Sequence, residues 1–390
     1  MIHPERKLAK RYDMPGRARS FTDIVYSGEA GNWNAINEDQ KRFLPPPPAY
    51  KPFIGELHGH SNLSDGYPDI DTYYKNLRDN AKVDFAALSD HDHGGVGKPE
   101  LWKAGKWDLI RQKAKEYYEP GKFTTLLAYE RDSYPWYNNL VIYYNNHDGE
   151  MLRGVVDGEI TRAELREWLA REDLILVPHD ANLLSSGSDF LAMELEDMVP
   201  IIQVYSRYNC CEYFGDPVNP SIDCEGGHWQ DALKRGARMG CIACGDDHVG
   251  TNGLIVDKLG YPSKFPGLTG VWAEENTLPS IFAALKARRC YGFMGGRIIV
   301  DFRIDGHYMG EEFTASSDPA VYYHIEADAK IESVTLVKNC RDYMIFKGSP
   351  SISEQLIFDY HQEQESDSYY LRVKLSDGRM AWSSPIWVRR

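Results

Sequence analysis

Long hydrophobic runs are missing from this 390-residue sequence. No stretch approaches the roughly 18 apolar residues that a membrane-crossing helix needs, and the first twenty residues hold no continuous apolar segment of the signal-peptide kind. An excess of basic charge is also missing. Lys and Arg number 44 against 58 Asp and Glu, for a formal charge of −14. Such a surface repels phosphate backbones and anionic lipid heads, and no run of Lys and Arg makes a local exception; nucleic-acid and membrane partners are therefore not expected. Cysteine is scarce and odd in number, at seven, so no paired disulfide framework suggests itself. Cys241 and Cys244 form a CxxC, but no second one follows to complete a zinc ribbon, and the two read as small apolar residues of a buried strand. A reducing, cytoplasmic setting fits this usage best. Internal repeats, low-complexity tracts and a glycine-rich phosphate-cradling loop are absent too.

What is there is an ordinary globular mixture, 42% hydrophobic and 26% charged, long enough for one large domain and a smaller one. Residues 1–50 are polar and irregular and end in Pro45-Pro46-Pro47-Pro48, a stiff connector. From 51 to 298, short apolar runs alternate with amphipathic stretches. Phe85–Leu88, Thr125–Ala128, Leu174–Val177, Ile201–Val204 and Cys241–Cys244 read as buried strands, with helical patterns at 71–81, 161–171 and 228–239 between them. That alternation predicts parallel strands covered by helices, in an α/β sheet or barrel. From 299 to 390 the pattern turns to β-formers punctuated by Asp305-Gly306 and Asp377-Gly378, which predicts a small antiparallel β-sandwich.

The predicted strands share one property: metal-competent residues stand at or just past their C-terminal ends. His58 and His60 close the run from Phe53 to Leu57, and two residues apart on a strand they project to the same side. Asp65 follows. Asp90, His91, Asp92 and His93 follow the next strand, then Glu130, then His179 and Asp180, then Asp246, Asp247 and His248. In a parallel α/β architecture these ends converge on one face. Mixed imidazole and carboxylate donors suit Zn, Mn or Fe, and a carboxylate such as Glu130 can bridge two ions.

Glu56-Leu57-His58-Gly59-His60 with Ser64-Asp65-Gly66, Leu88-Ser89-Asp90-His91, Val177-Pro178-His179 and Gly245-Asp246-Asp247-His248 resemble, in order and spacing, the four motifs of the PHP (polymerase and histidinol phosphatase) superfamily. More loosely, Gly270–Ala273, Gly296-Arg297 and Ala381–Trp387 are similar to an uncharacterised PHP subgroup that carries a β-sandwich. The resemblance implies a distorted (β/α)7 TIM-like barrel with two or three divalent ions. His58, His60, Glu130 and Asp246 would hold one ion, and Asp65, His91 and His248 a second. Glu130 and His179 would hold a third, usually completed by a histidine on the strand after the glutamate. Here Trp136-Tyr137-Asn138-Asn139-Leu140-Val141 offers none, and His147 lies beyond that strand. Gln203 stands where the family carries an acidic residue.

Around these donors, Asp90 is expected to orient an imidazole, and His93, Asp180 and Asp247 to donate protons, orient ligands or cap loops. Arg131 and Arg207, and with them Arg297, are candidates to grip an anion, against surface salt bridging. Tyr67, Trp136, Tyr137, Tyr205 and Tyr208 could wall a substrate pocket or pack the core. His3, His228, His307, His324 and His361 are read as ordinary hydrogen-bonded or surface residues. The expected function is a metal-dependent phosphoesterase on a small anionic substrate, with metal-bound hydroxide attacking phosphorus and His93 or Asp180 as the acid. The alternatives are hydrolysis or elimination on a non-phosphate substrate such as an acidic sugar, or a non-catalytic, metal-stabilised binding module.

Overall fold

The computed structural model describes residues 8–9, 24–25, 36 and 38–390, apart from 95–96, 104, 133–136, 138, 153–160, 184–186, 219–222 and 258–259. His3, Trp136, Asn138 and most of the expected N-terminal extension lie outside the described residues. Runs such as Phe85–Leu88 and Leu174–Pro178 are buried at every position, the signature of strands covered on both faces. They become β2 and β5 of a series that begins with β1 (Lys51–Glu56) and continues through β3 (Thr124–Asp132) and β4 (Asn139–Tyr144). β1, β2 and β3 run parallel, with Gly55 opposite Phe85 and Phe85 opposite Thr124. β4 departs from the all-parallel expectation: it pairs antiparallel with β3 and with β5. β6 (Ile201–Tyr205) and β7 (Gly240–Ala243) form a separate parallel pair.

The helices are few and short. Asp69 caps α1 (Ile70–Lys75) by accepting from Thr72 N at 2.7 Å, and the expected helix over 71–81 finishes as a π-helical turn, Asn76–Ala81. Lys106–Tyr117 forms α2, and Thr161 with Glu164 makes a capping box for α3 (Arg162–Leu169). Trp229–Lys234 and Leu278–Lys286 form α4 and α5. The architecture is mixed α/β, mostly sheet. Among the described residues no helix is long and apolar enough to cross a membrane.

β8 (Gly267–Ala273) pairs antiparallel with β1 on one side and with β9 (Cys290–Met294) on the other. β9 in turn pairs with Met380–Ser383, so one sheet continues across residue 298 into the C-terminal strands. Those strands include Ile331–Lys338, Arg341–Ser349 and Ser366–Leu375. A second antiparallel sheet holds Ile298–Ile304, Ala320–Ala327 and Ile352–Phe358, with the short strand His307–Tyr308 at its edge. Phe302 and Ile325 of this sheet share one apolar core with Leu336 and Leu371 of the first. Cys241 and Cys244 lie wholly buried with free thiols, Cys241 Sγ pointing to Trp382 O, so the pair packs as expected of small apolar residues.

Candidate metal centre

Pairing between the first, second, third and seventh strands continues past their ends, and this brings the polar residues together. His60 N donates to Asp247 O at 3.0 Å and Asp246 N to His58 O at 2.9 Å. Ser89 N donates to Gly59 O, and Glu130 N to Asp90 O, each at 3.0 Å. Glu130 sits inside β3 rather than after it, because that strand runs on to Asp132.

Among the described residues, three groups of donors result. In the first, His58, His60, Glu130 and Asp246 each present one atom within 4.8 Å of the others, and all four are buried. His58 Nε2 lies 3.0 Å from Glu130 Oε2, and His60 Nε2 lies 3.1 Å from Asp246 Oδ1. In the second, Asp65 Oδ2 stands 3.5 Å from His91 Nε2 and 3.4 Å from His248 Nε2, and His60 belongs here as well through Nδ1, 3.8 Å from Asp65 Oδ1. The third joins His179, Asp180 and Asp246.

Charges in the cluster depend strongly on one another. Burial and the neighbouring His248 and His91 push the His60 imidazole down to about 4, so its ring nitrogens stay available as a neutral ligand. Burial pulls His58 down as well, but Asp246 and Glu130 outweigh it and hold the ring up at about 10. Burial raises the Asp65, Glu130 and Asp246 carboxyls, yet the surrounding imidazoles overcome it and keep all three well below the usual carboxylate range. Burial lifts Asp180 to about 6 against the pull of His179, and the charge of Asp246 adds to the lift.

Around the donors several residues act on geometry. Gln203 Oε1 accepts from His58 Nδ1 at 3.0 Å, which orients the ring with Nε2 toward Glu130 and Asp246. Gln203 therefore supports His58. Asp90 is fully buried, but its bonding partners are Ser61 and Ser64 rather than an imidazole: Ser61 N donates at 2.8 Å, and both serine hydroxyls at 2.5 Å. It holds the loop leading to Asp65. Asp247 accepts from Val249, Gly250 and Thr251 N, the loop-capping alternative. Glu56 was not anticipated. Its buried carboxyl accepts from His58 N at 3.1 Å and Gly245 N at 2.9 Å, fastening the first and fourth motifs together, and burial raises it to about 8. A Cβ at position 245 would come within 2.7 Å of Glu56 Oε2, so that clasp requires glycine. Its sequence signals were its place at the head of the first motif and an acidic residue in an apolar strand.

Two of the three arginines are buried beside the donor segments. Arg131 is buried, donates to Leu152 O at 3.0 Å and lies 3.5 Å from Asp92, the neighbour of His91. Arg207 is fully buried, donates to Leu254 O at 2.6 Å and lies 3.7 Å from Asp247, the neighbour of Asp246 and His248. Arg297 is exposed, and its N–H donates to Asp328. His93 is exposed at the rim, stacked on His91 at 4.9 Å. Half-buried Tyr208 packs beside His248, while Tyr67 is 80% exposed. Tyr137 and Tyr205 are core residues. His147 is held by Thr125 O at 2.8 Å, toward the start of β3 and away from the Glu130 end. His228, His307 and His324 pair with Asp231, Glu311 and Glu326, as ordinary hydrogen-bonded residues do.

Buried clusters of His, Asp and Glu with metal-ligand spacing, set in a mixed α/β fold, define the class of site. The family described as protein of unknown function (DUF3604) matches residues 70–207 and 245–327, more than half of the chain, and the chain belongs to it. An uncharacterised protein of Chlamydia pneumoniae is 27% identical over 366 residues, and one of Chlamydia muridarum 27% identical over 373. Each alignment covers 86% of this chain and 57% of the relative, so the chain spans a little over half the length of these relatives. A crystal structure of a two-domain protein from Bacteroides vulgatus, containing a predicted PHP-like metal-dependent phosphoesterase, aligns with 88% of this chain and 97% of its own, at 14% identity and a TM-score of 0.46.

Proposed function

We propose that this chain is a metal-dependent hydrolase of PHP type, a phosphoesterase acting on a small anionic substrate. The observation that carries the proposal is the convergence of donors from separate segments: His58 and His60, Asp65, His91, Glu130, and Asp246 with His248. Atoms 3–4 Å apart are spaced as ligands of shared ions at roughly 2.0–2.2 Å would be. The residues also fit such ions chemically. His60 is wholly buried, yet its Nδ1 has no hydrogen-bond partner, and buried nitrogens of this kind call for one.

Two divalent ions, Zn, Mn or Fe, would supply an activated water and neutralise charge developing on a phosphoryl oxygen. The chain's own part is to hold the donors rigid and dry. Glu56, Asp90 and Gln203 fix the ligand-bearing segments, and Arg131 and Arg207 brace them from behind through Asp92 and Asp247. Exposed His93 stands at the rim, where a leaving group could take a proton from it. In this reading 51–298 forms a distorted barrel closed between β7 and β1, supported by the bridge between Gly59 and Asp247, and 299–390 forms a β-sandwich capping it.

The test assays purified protein for bound metal and for turnover of p-nitrophenyl phosphate and bis-p-nitrophenyl phosphate with Mn or Zn. Metal-dependent turnover that His58→Ala abolishes is the expected result. Protein that retains no cation refutes the metal reading, and bound cation without turnover of either ester refutes the phosphoesterase reading.

A further inference from the structure

We infer that Tyr67 and Tyr208 form an aromatic rim at the open side of the donor cluster, and that this rim selects a phosphoester whose leaving group carries a planar aromatic ring. This rests on the phosphoesterase reading above and adds a substrate class to it.

The cluster opens on one side. The first donor group is buried at every position, whereas in the second Asp65 is 41% exposed, His248 21% and His91 14%. A substrate therefore arrives over Asp65, His91 and His248. Two tyrosines stand at that opening. Tyr67 follows Asp65 by two residues, and its N–H donates to His248 O at 2.8 Å. The loop that carries it is pinned, since Gly66 N donates to Ser61 O at 2.9 Å and Asn62 N to Pro68 O at 2.7 Å. A Cβ at Gly66 would fall 2.4 Å from His60 O, so the loop closes tightly on the first motif. On this ordered backbone the Tyr67 side chain is left 80% exposed. The Tyr208 ring meets His248 edge to face with 6.3 Å between centroids, and Tyr261 packs against it at 5.2 Å. Tyr261 Oη also accepts from His248 N at 2.8 Å, which ties the pair of rings to a donor-bearing segment. Rigid aromatic side chains lose little freedom when a ligand covers them, which is what a stacking surface needs.

The charges around the opening favour a ring over a second anionic group. Lys98 and Lys106 donate to Asn62 O and Leu63 O, at 3.0 and 2.6 Å. Arg207 is fully buried under Tyr261, 5.0 Å from its ring centroid. These cations are turned onto the protein, so the part of a substrate beyond its phosphoryl group meets aromatic surface. Aromatic rings pair offset or edge to face, and one such pair amounts to roughly two- to tenfold in affinity.

The test titrates Mn-loaded full-length protein with phenylphosphonate and with methylphosphonate by calorimetry. The two probes share the anionic group and differ in the ring. Wild type should bind the phenyl compound about tenfold more tightly. Tyr67→Ala should narrow that margin and Tyr67→Phe, which keeps the ring face, should retain it. Tyr67 is exposed, so both variants are expected to fold, and their bound Mn, counted by elemental analysis, separates a lost ring contact from a lost metal centre. Equal affinity of wild type for the two probes, a margin that Tyr67→Ala leaves intact, or one that Tyr67→Phe loses as fully as Tyr67→Ala would overturn the aromatic rim and leave the phosphoesterase reading standing. No binding of either probe to the Mn-loaded protein would instead overturn that reading, and the rim with it.

Discussion

Glu212→Ala is expected to be among the most damaging single changes in the molecule outside the metal centre. Glu212 is fully buried and accepts from Tyr370 Oη at 2.6 Å, Trp382 Nε1 at 2.7 Å and Arg372 Nε at 2.8 Å. Truncation would leave the Arg372 guanidinium buried without its main counter-charge, which costs about 3–5 kcal/mol. Arg372 keeps Asp342 at 2.7 Å, and this moves its share toward the lower figure, about 3 kcal/mol. Losing the acceptor of the Tyr370 and Trp382 donors adds about 1 kcal/mol each. The sum is about 5 kcal/mol. At about 2 °C per kcal/mol in a chain of this size, Tm should fall by about 10 °C. Urea unfolding followed by tryptophan fluorescence measures it. Adding Arg372→Met should recover much of the loss, because removing both charges deletes the uncompensated one. A change below about 1 kcal/mol for Glu212→Ala, or a double variant worse than the single one, would refute the assignment of an unpaired charge as the cause.

Three further outcomes are expected. Burial, aided by the charge of Glu212, raises Asp216 from 3.8 to about 7. A raised acid contributes stability that is complete below its unfolded value and is lost as pH climbs through the folded one, so Asp216→Asn should match wild type near about pH 4 and surpass it near about pH 8. Urea midpoints at the two pH values check this, and an equal difference at both would count against it. His147→Ala should leave the number of bound metal ions unchanged, since its Nε2 is engaged at Thr125 O; elemental analysis decides. Removal of metal with a chelator should lower Tm, because a cation held about a thousandfold above its Kd contributes about 4 kcal/mol, and calorimetry with and without Mn reads the shift.

The strands that carry the site were legible because each is a local apolar run with polar residues at its end, and Phe85–Leu88 appears as the same four residues in the structure. The direction of β4 was not legible. Leu140 to Tyr144 is buried throughout, and such a run looks the same whether its neighbours lie parallel or antiparallel. The donors of the first two groups could be read from motif spacing, but the actual partners of Asp90 could not, since Ser61 and Ser64 reach it only after the loop folds back. Asp180 was legible as a polar residue near the centre. That it joins His179 and Asp246 depends on a backbone turn with positive φ, which no periodicity encodes. The pairing of Glu212 with Arg372 spans 160 positions and leaves no local trace.

β9 hydrogen-bonds on one flank to β8, beside the strand that delivers His58 and His60, and on the other to Met380–Ser383. The ligand-bearing half and the C-terminal strands therefore share a ladder rather than merely touching. Cutting the chain near residue 298 would not free a tidy module; it would bare a row of unsatisfied amides and carbonyls along β9, a template for pairing with another molecule. Damage far out in the C-terminal strands is in this way transmitted to the half that carries His58 and His60 as a frayed edge, and the whole chain should melt as one.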